Sequence, residues 1–242
     1  MRIDILTLFP GMFSGPLSES LLKKAREKGL IKINLINIRD FTEDKHQTAD
    51  DSPYGGGPGM VMKSEPIYKA VSSLNPKPTT RIILMCPAGE TLTQEKAKEL
   101  AGCEHLVIIC GHYEGVDDRI RRNLVTDEIS IGDYVLTGGE IPALVLTDCV
   151  SRLIPNVIKE EESFRRDSFF NGLLDYPSFT KPEKFREDEV PAVLRSGHHE
   201  AIDRFRRMES LEKTLFRRPD LLVNAEITEE DKDLLEQIVQ KG

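Results

Sequence analysis

Short apolar runs rich in β-branched residues alternate with helical patterns through residues 1–155, and this alternation constrains the fold more than any other feature. The runs are IDILTLF, IKINLINI, RIILMCP, HLVIICG and EISIGDYVL. Repeated strand–helix–strand order predicts a mainly parallel sheet covered by helices on both faces. A run such as LVIIC, which is apolar throughout, is typical of a strand buried on both faces. We therefore expect an α/β domain.

The helical segments between these runs carry recognisable ends. LSESLLKKAREKG ends at Gly29, and TQEKAKELAG begins with Thr93 as N-cap and ends at Gly102. SEPIYKAVSSL has Ser64 as its predicted N-cap and Pro66 in its first turn. GGEIPALVLTDCVSRLIP is apolar on several faces, which predicts a largely buried helix.

The pattern changes after Pro155. Residues 156–180 are charged, interrupted by prolines and without a sustained period, which predicts a linker or lid. Residues 181–242 contain two amphipathic helical patterns, HHEAIDRFRRMESLEKTLFRRP and ITEEDKDLLEQIVQK, and Thr228 and Asp231 form a predicted cap for the second. The expected organisation is an α/β domain over 1–155, a linker or lid over 156–180 and a small helical domain over 181–242.

Composition narrows the class of protein. No apolar run approaches the roughly 20 residues that span a bilayer, and no basic leader precedes an apolar stretch, so we expect a cytoplasmic protein with no membrane contact. The net charge of −8 argues against nonspecific coating of nucleic acid. Residues 195–218 nevertheless hold seven Lys or Arg against four acidic residues, a local basic segment. The four cysteines form no Cys-x-x-Cys pair and the five histidines show no metal spacing, so no metal site is predicted.

Glycine-containing turns follow three of the predicted strands. The first strand is not followed by G-x-G-x-x-G, and G-x-x-x-x-G-K-[ST] is absent, which removes the main support for a dinucleotide fold or a P-loop. The turns are CPAGE at 86–90, CGHYEG at 110–115 and IGDYVLTGGE at 131–140. Carboxyl ends of parallel strands meet at one edge of a sheet, where bare backbone can approach an adenine or ribose closely. Together the turns predict one shared pocket, although each glycine alone could serve a tight turn.

Two further segments are candidates for chemistry. DSFFNGLLDYP holds Asp167, a carboxylate that could act as a base if the segment closes as a lid. DDRIRR holds Arg119, Arg121 and Arg122, which could contact phosphates or form a solvated helix face.

Seven motifs, in order and spacing, resemble a known family over essentially the whole chain. They are SPYGGGPGM, GHYEGVDDRI, SIGDYVLTGGE, SRLIP, DSFFNGLLDYPSFTKP, VPAVLRSGHH and LFRRPDLL. The chain is similar to the bacterial tRNA (guanine-N1)-methyltransferases of the TrmD type, in the SPOUT class. The resemblance implies methyl transfer from S-adenosyl-L-methionine to N1 of guanine 37 in tRNA carrying G36-G37. It also implies a deep trefoil knot late in the α/β domain, and a homodimer whose subunits share each active site.

The resemblance further implies site residues. The knotted catalytic domain, residues 1–155, would bind the methyl donor through Leu84, Met85, Cys86, Pro87, Gly111, Tyr113, Glu114, Ser130, Ile131, Gly132, Asp133, Tyr134, Val135, Leu136, Gly138, Gly139 and Pro142. Asp167 would remove the N1 proton of guanine, and Arg152 would stabilise charge on guanine O6 or hold a phosphate. Mg²⁺ is implied as a further cofactor, although the sequence places no ligands for it.

The tRNA-binding residues implied by the resemblance lie in two places. Tyr54, Gly55, Pro58 and Gly59 belong to the loop SPYGGGPGM, where small residues would let a flipped-out base approach the backbone while prolines restrain the loop. Arg195, Ser196, Gly197 and His198 belong to the helical domain, which would position the anticodon arm. Two alternatives stay open at this stage: a non-catalytic RNA-binding protein that holds a nucleotide, and a related knotted methyltransferase that acts on a ribose 2′-hydroxyl.

Overall fold

The chain folds into two compact units, Met1–Lys159 and Glu160–Gly242. The structure is a computed structural model that describes residues 1–160 and 164–241. Residues 161–163 of the predicted linker and residue 242 of the predicted helical domain lie outside the described residues. Each unit has a hydrophobic core of its own.

The first unit is built around a parallel sheet. Its strands are β1 (Arg2–Thr7), β2 (Lys32–Asn37), β3 (Asp50–Asp51), β4 (Val61–Met62), β5 (Arg81–Thr91), β6 (His105–Cys110) and β7 (Asp127–Ser130). Its helices are α1 (Ser14–Leu17), α2 (Ser20–Glu27), α3 (Ser64–Ser73), α4 (Gln94–Ala101), α5 (Asp118–Asn123) and α6 (Glu140–Ser151), with 3-10 helices at Pro10–Phe13 and Ile38–Phe41. Five strands form one sheet in the order β2-β1-β6-β5-β7, and every neighbouring pair is parallel. The predicted α/β class is confirmed.

Both faces of this sheet are covered. Along β6, Leu106 and Ile108 pack into one core cluster, whereas Val107 and Ile109 pack into the other. Side chains alternate between the two faces of a strand, so a central strand buried on both sides must be apolar at every position. This is the physical reason for the continuous run LVIIC, and its prediction as a buried strand is confirmed.

Two strand ends differ from the sequence pattern. β5 continues past the predicted turn at 86–90: pairing with β7 is interrupted after Met85 and resumes at Glu90, so residues 86–89 bulge within the strand. β7 is shorter than the run EISIGDYVL and ends at Ser130. The chain turns there because Gly132 has a φ of +145°, which is unfavourable for a residue with a side chain.

Helix ends follow local chemistry. The Thr93 side chain accepts a hydrogen bond from the backbone N–H of Lys96, as its prediction as an N-cap requires. Gly29 lies just beyond α2 with a φ of +69°. Ser64 is the first residue of α3 and Lys63 occupies the cap position, so that prediction was wrong by one residue.

The second unit is mainly helical. It contains the hairpin β8 (Lys184–Phe185) and β9 (Asp188–Glu189), and the helices α7 (Ala192–Arg195), α8 (His199–Arg217), α9 (Pro219–Leu222) and α10 (Glu229–Lys241). Its core joins Leu173 to Leu211 of α8 and to Leu234 and Ile238 of α10. The Leu174 backbone N–H donates to Thr214 Oγ1 at 3.0 Å. This part of the segment predicted as a linker or lid therefore packs within the second unit.

Candidate active site

Three turns converge at the carboxyl edge of the parallel sheet. They follow or interrupt β6, β5 and β7, which are neighbours in the sheet. Together they enclose a cavity of about 430 Å³ that is lined by residues of the first unit. The shared pocket predicted from the glycine turns is thus a single cavity in the structure.

The cavity gathers all the expected donor-binding residues except Asp133. Those that line it are Leu84, Met85, Cys86, Pro87, Gly111, Tyr113, Glu114, Ser130, Ile131, Gly132, Tyr134, Val135, Leu136, Gly138, Gly139 and Pro142. Residues outside the expected donor-binding set also line it: His112, Gly115, Val116, Asp118, Arg121, Ile129 and Thr137. Most of these additional residues lie inside the motifs GHYEGVDDRI and SIGDYVLTGGE, so the motifs indicated this part of the cavity as well.

Close backbone approach explains why glycine occupies position 139. The Gly139 N–H donates to the Gly111 carbonyl at 2.7 Å. A Cβ added to Gly139 would lie 2.8 Å from Cys110 Cα and 2.9 Å from Gly111 N, closer than atoms can pack. The segment before α6 can therefore cross the end of β6 only without a side chain at this position.

The cavity wall also contains local backbone strain. Tyr113 has a φ of +57°, in the left-handed region that residues with side chains rarely adopt. The Tyr113 ring meets the His112 ring edge to face, with 4.8 Å between centroids. Strain of this kind persists where surrounding contacts impose it, and it is common at ligand sites.

The thiol at the end of β6 is chemically quiet. Cys110 is fully buried, and burial, together with the nearby Glu140 carboxylate, raises the pKa of its thiol. The neutral thiol is a weak nucleophile. Cys110 therefore packs in the hydrophobic core, and other groups must provide any chemistry in the cavity.

One end of the glycine-rich loop lies against a residue of the cavity wall. Gly55 and Gly59 have φ values of +89° and +86°. The Glu114 N–H donates to the Met60 carbonyl at 3.0 Å, and a Cβ at Gly59 would overlap the Glu114 side chain. Tyr54, at the other end of the loop, is fully exposed. The predicted substrate loop does not line the cavity itself: Gly59 lies against Glu114, which does, while Tyr54 projects into solvent.

Asp167 and Arg152 belong to different units. Arg152 follows α6 in the first unit as its C-cap residue. Asp167 lines a second cavity, of about 230 Å³, whose lining residues all belong to the second unit. In that cavity the Arg206 guanidinium lies 5.0 Å from the centroid of the Tyr176 ring, a cation–π contact.

The predicted tRNA-binding residues of the second unit are exposed. His198 is the N-cap of α8 and accepts a hydrogen bond from the Ala201 N–H. Gly197 has a φ of +72°, and Arg195 pairs with Glu183. Ser196 ends α7 as its C-cap.

The basic segment 195–218 is extensively ion-paired, which the residue count did not predict. The pairs are Arg195–Glu183, Arg204–Glu230, Arg206–Asp203, Arg207–Asp231, Lys213–Asp175 and Arg218–Asp220. Acidic residues from elsewhere in the unit therefore offset much of the positive charge. A phosphate contact by one of these paired side chains would compete with its carboxylate partner.

The described residues offer neither a metal site nor a membrane-spanning helix. Within residues 1–160 and 164–241, no group of three or more His, Cys, Asp or Glu side chains is placed to hold a metal ion. In the same part of the chain, no helix has both the length and the apolar character needed to cross a membrane.

The sequence is similar to known proteins over nearly its whole length. A family profile described as "tRNA (Guanine-1)-methyltransferase TrmD" matches residues 1–224. A tRNA (guanine-N(1)-)-methyltransferase of Desulforamulus reducens is 58% identical over 238 residues, covering 97% of this chain and 94% of the relative. Enzymes with the same name from Halalkalibacterium halodurans and Geobacillus kaustophilus are 55% and 58% identical, each over 98% of both chains.

Proposed function

The chain belongs to the TrmD family of tRNA (guanine-N1)-methyltransferases, and from this membership we propose that it methylates guanosine 37, beside the anticodon, in tRNAs that carry G36-G37. An enzyme of this class takes its methyl group from S-adenosylmethionine. The family fold also implies the trefoil knot of the SPOUT class. Residues 1–155 are the proposed catalytic domain, 156–180 the proposed linker or lid, and 181–242 the proposed tRNA-binding domain.

The convergence of the three glycine turns on one cavity is the observation that most supports the proposed donor site. A volume of about 430 Å³ lies within the range of about 300–1,000 Å³ for small-molecule sites. Leu84, Ile131 and Pro142 offer apolar surface suited to an adenine ring, and the glycines offer bare backbone N–H and C=O groups for a ribose. When bound, S-adenosylmethionine supplies a methyl group activated by a positively charged sulfur. Asp133 remains a proposed donor-binding residue: it does not line the cavity, but its neighbours Gly132 and Tyr134 do.

Asp167 is the proposed general base. Guanine N1 carries a proton at neutral pH, so its lone pair cannot attack a methyl group until that proton is removed. A carboxylate is suited to accept it, and positioned general bases typically contribute about 10²–10⁴-fold in rate. Alignment of the two reactants would account for much of the remaining acceleration.

Arg152 is the proposed partner of this base. As N1 loses its proton, negative charge spreads onto guanine O6, and a guanidinium close to that oxygen would stabilise it. The same group could instead hold a backbone phosphate. Arg152→Ala separates the two roles: loss of a contact with O6 should lower the rate of methyl transfer at saturating tRNA, whereas loss of a phosphate contact should mainly raise the KM for tRNA.

The proposed tRNA contacts follow the exposed residues of both units. Tyr54, Gly55, Pro58 and Gly59 would border the entry of the flipped guanine, and the contact of Gly59 with Glu114 supports a route from this loop to the cavity. Arg195, Ser196, Gly197 and His198 would meet the sugar-phosphate backbone, because contacts of that kind position RNA without reading its sequence.

We further propose that the enzyme works as a cytoplasmic homodimer with active sites shared between subunits. Exposed apolar side chains on α6 and the preceding loop, including Val135, Ile141 and Val145, support a protein partner at this surface. A tRNA substrate supports the proposed location in the cytoplasm. A need for Mg²⁺ remains a prediction without an assigned site, and its test is the rate of methyl transfer before and after removal of divalent cations by chelation.

The decisive experiment is incubation with labelled S-adenosylmethionine and unmodified tRNA carrying G36-G37, followed by nucleoside analysis. The expected product is 1-methylguanosine at position 37, and tRNA with adenosine at position 37 is the matched control. A ribose-methylated nucleoside, or label at another position, would contradict the proposal.

A further inference from the structure

Strand β1 has a buried carboxylate near each of its two ends, and each carboxylate lies close to a histidine on or after β6. At the start of the strand, Asp4 Oδ2 lies 2.7 Å from His105 Nε2. At its other end, Glu140 Oε2 of α6 lies 3.7 Å from His112 Nδ1. Only the second pair is next to the donor cavity, because His112 lines that cavity.

The Glu140 carboxylate is held in the interior by specific contacts. Glu140 is 1% exposed, and its Oε1 atom accepts a hydrogen bond from Thr7 Oγ1 at 2.8 Å. The Thr7 hydroxyl in turn accepts from the Phe9 N–H at 2.9 Å. Glu140 is also the first residue of α6, where the helix dipole favours negative charge. The fold therefore satisfies this buried carboxyl group with a specific hydrogen bond, as buried polar groups require.

His112 has packing contacts for its ring but lacks a hydrogen bond at the nitrogen that faces Glu140. Its ring packs against Phe9 and Tyr113, with centroids 4.8 Å away in each case. Its Nδ1 atom is enclosed and has no hydrogen-bond partner within residues 1–160 and 164–241. A movement of about 1 Å toward Glu140 Oε2 would bring the two atoms into hydrogen-bond range.

The pair lies where three chain segments meet. Gly138 forms an antiparallel bridge with His112, and a Cβ at Gly138 would overlap both Glu140 Oε2 and His112 Nδ1. The end of β1 contributes Thr7. Two of these segments, the turn after β6 and the approach to α6, form walls of the cavity. Glu140 itself does not line the cavity, so any effect on the donor passes through its neighbours.

We propose that Glu140 is a positioning residue for methyl-donor binding. It joins the end of β1 to the turn Gly111–Glu114 and to the segment before α6, and it thereby holds two walls of the cavity at the separation that accepts the donor. Donor binding brings His112 Nδ1 into a hydrogen bond with Glu140, which completes the contacts of both groups. This inference rests on the donor site assigned under the proposed function.

The test compares Glu140→Gln with the wild type in the full-length protein. The amide keeps the shape of the side chain and an oxygen for Thr7 but loses the charge. We expect the Kd and KM for S-adenosylmethionine to rise about tenfold or more, about 1.4 kcal/mol. We expect kcat at saturating donor and the KM for tRNA to stay within about twofold of the wild type, because the neighbours through which Glu140 acts form walls of the donor cavity.

Variants at His112 test whether the effect passes through that ring. His112→Asn keeps an N–H donor near the position of Nδ1, whereas His112→Ala removes it. The asparagine variant should recover most of the donor affinity that the alanine variant loses. Glu140→Gln should have little further effect when combined with His112→Ala, since coupled residues are not additive. Additive losses would overturn the proposed link.

Asp4→Asn is the matched control, because it changes a buried carboxylate beside a histidine at the other end of β1. It should lower the melting temperature and leave the Kd for S-adenosylmethionine unchanged. A Glu140→Gln variant with no greater loss of donor affinity than Asp4→Asn, or with an equal rise in the KM for tRNA, would overturn the inference. If Glu140→Gln does not fold, Thr7→Val takes its place. This variant removes the hydroxyl that donates to Glu140 Oε1, and it should also raise the Kd for S-adenosylmethionine.

A spectroscopic readout tests the movement of His112. In ¹⁵N-labelled wild-type protein, the Nδ1 proton of His112 should become observable and protected when S-adenosylmethionine is added, and it should stay unobserved in Glu140→Gln. An imidazole signal that donor addition does not alter would refute the closing hydrogen bond. Wild-type protein that fails to bind S-adenosylmethionine would refute the proposed function instead.

Discussion

The residues with proposed roles in donor binding and in proton removal lie in different units. The first unit supplies a cavity made largely of backbone and apolar side chains, with Gly139 admitting a close crossing of chain segments. The second supplies Asp167, in a cavity with arginine and tyrosine neighbours. If these proposed roles are correct, binding of the donor and removal of the guanine proton depend on different residues, and substitutions should affect them separately.

Asp167→Asn should abolish proton removal without affecting the donor. The amide cannot accept the N1 proton, so methyl transfer should fall about 10²–10⁴-fold. The Kd for S-adenosylmethionine should be unchanged, because the donor cavity is lined by residues of the first unit. Single-turnover kinetics and calorimetry measure the two quantities. Asp203→Asn, which changes another carboxylate of the same cavity, is the control, and equal losses in both variants would refute the base assignment.

Gly139→Ala should damage the donor cavity directly. The new Cβ would meet the backbone of Cys110 and Gly111 at less than 3 Å, which forces the two segments apart. Overpacking of this kind costs about 1–3 kcal/mol, roughly 5- to 150-fold if it falls on donor affinity. Gly15→Ala is the control, because a Cβ there meets nothing within 4 Å. Titration calorimetry with S-adenosylmethionine measures both, and unchanged affinity in Gly139→Ala would contradict the crossing as a wall of the site.

At the scale of elements, α10 shows how a short sequence pattern becomes a stabilising contact. The Thr228 N–H donates to Asp231 Oδ2 at 2.8 Å, and the Asp231 N–H donates to Thr228 Oγ1 at 3.2 Å, so the predicted cap is confirmed. Asp231 also accepts from the Arg207 side chain of α8, which the sequence did not indicate. One carboxylate therefore caps α10 and joins it to α8.

This carboxylate should make the stability of the second unit depend on pH. The hydrogen bonds from Arg207, with those from Thr228, lower the pKa of Asp231 from 3.8 to about 2. Its contribution is therefore fully present above the unfolded-state pKa, near pH 4, and is lost as pH falls toward 2. A shift of this size corresponds to about 2 kcal/mol of unfolding free energy at neutral pH.

Asp231→Asn should remove that contribution, so the difference between variant and wild type should be largest at pH 7 and shrink below about pH 4. Urea unfolding followed by circular dichroism from pH 7 to pH 3 measures it. Glu229→Gln, in the same first turn but with a largely exposed side chain, should cost far less. A difference that stays constant across this pH range would contradict the linkage.

At the scale of the whole molecule, one helix has both a core face and an apolar outer face. In α6, Ala143, Leu146 and Val150 are buried, whereas Ile141 and Val145, one turn apart, are 47% and 38% exposed. The sequence predicted a largely buried helix, and within this chain one face of α6 is buried while the other is exposed. Apolar residues repeated on an exposed helix face favour a protein partner, which supports the proposed homodimer.

Charge on that face should dissociate the dimer. We expect the double substitution Ile141→Glu with Val145→Glu to convert a dimeric wild type to a monomer, because four carboxylates would be buried at a two-fold interface. Methyl transfer should be lost with the dimer if the active site is shared. Sedimentation velocity and activity assays measure these outcomes. Tyr68→Glu, at an exposed aromatic of α3, is the control, and a double variant that remains dimeric would exclude this face.

The sequence predicted those features that depend on periodicity and on rules within short segments. Continuous apolar runs indicate strands buried on both faces, as β6 shows, and caps such as Thr93 and Thr228 need only a neighbour three residues away. The order of strands and helices was enough to place three glycine turns at one edge of the sheet. The motifs then indicated the residues of the cavity, with Asp133 as the exception in the lining.

Features that depend on contacts between distant segments needed the fold. The buried link from Thr7 through Glu140 to the neighbourhood of His112 joins positions more than 100 residues apart, and no local pattern encodes it. The bulge in β5, the carboxylates that pair with the basic segment and the exposed face of α6 have the same origin. Short-range spacing sets which elements form, whereas burial and charge pairing arise only when separate elements are brought within a few ångströms of each other.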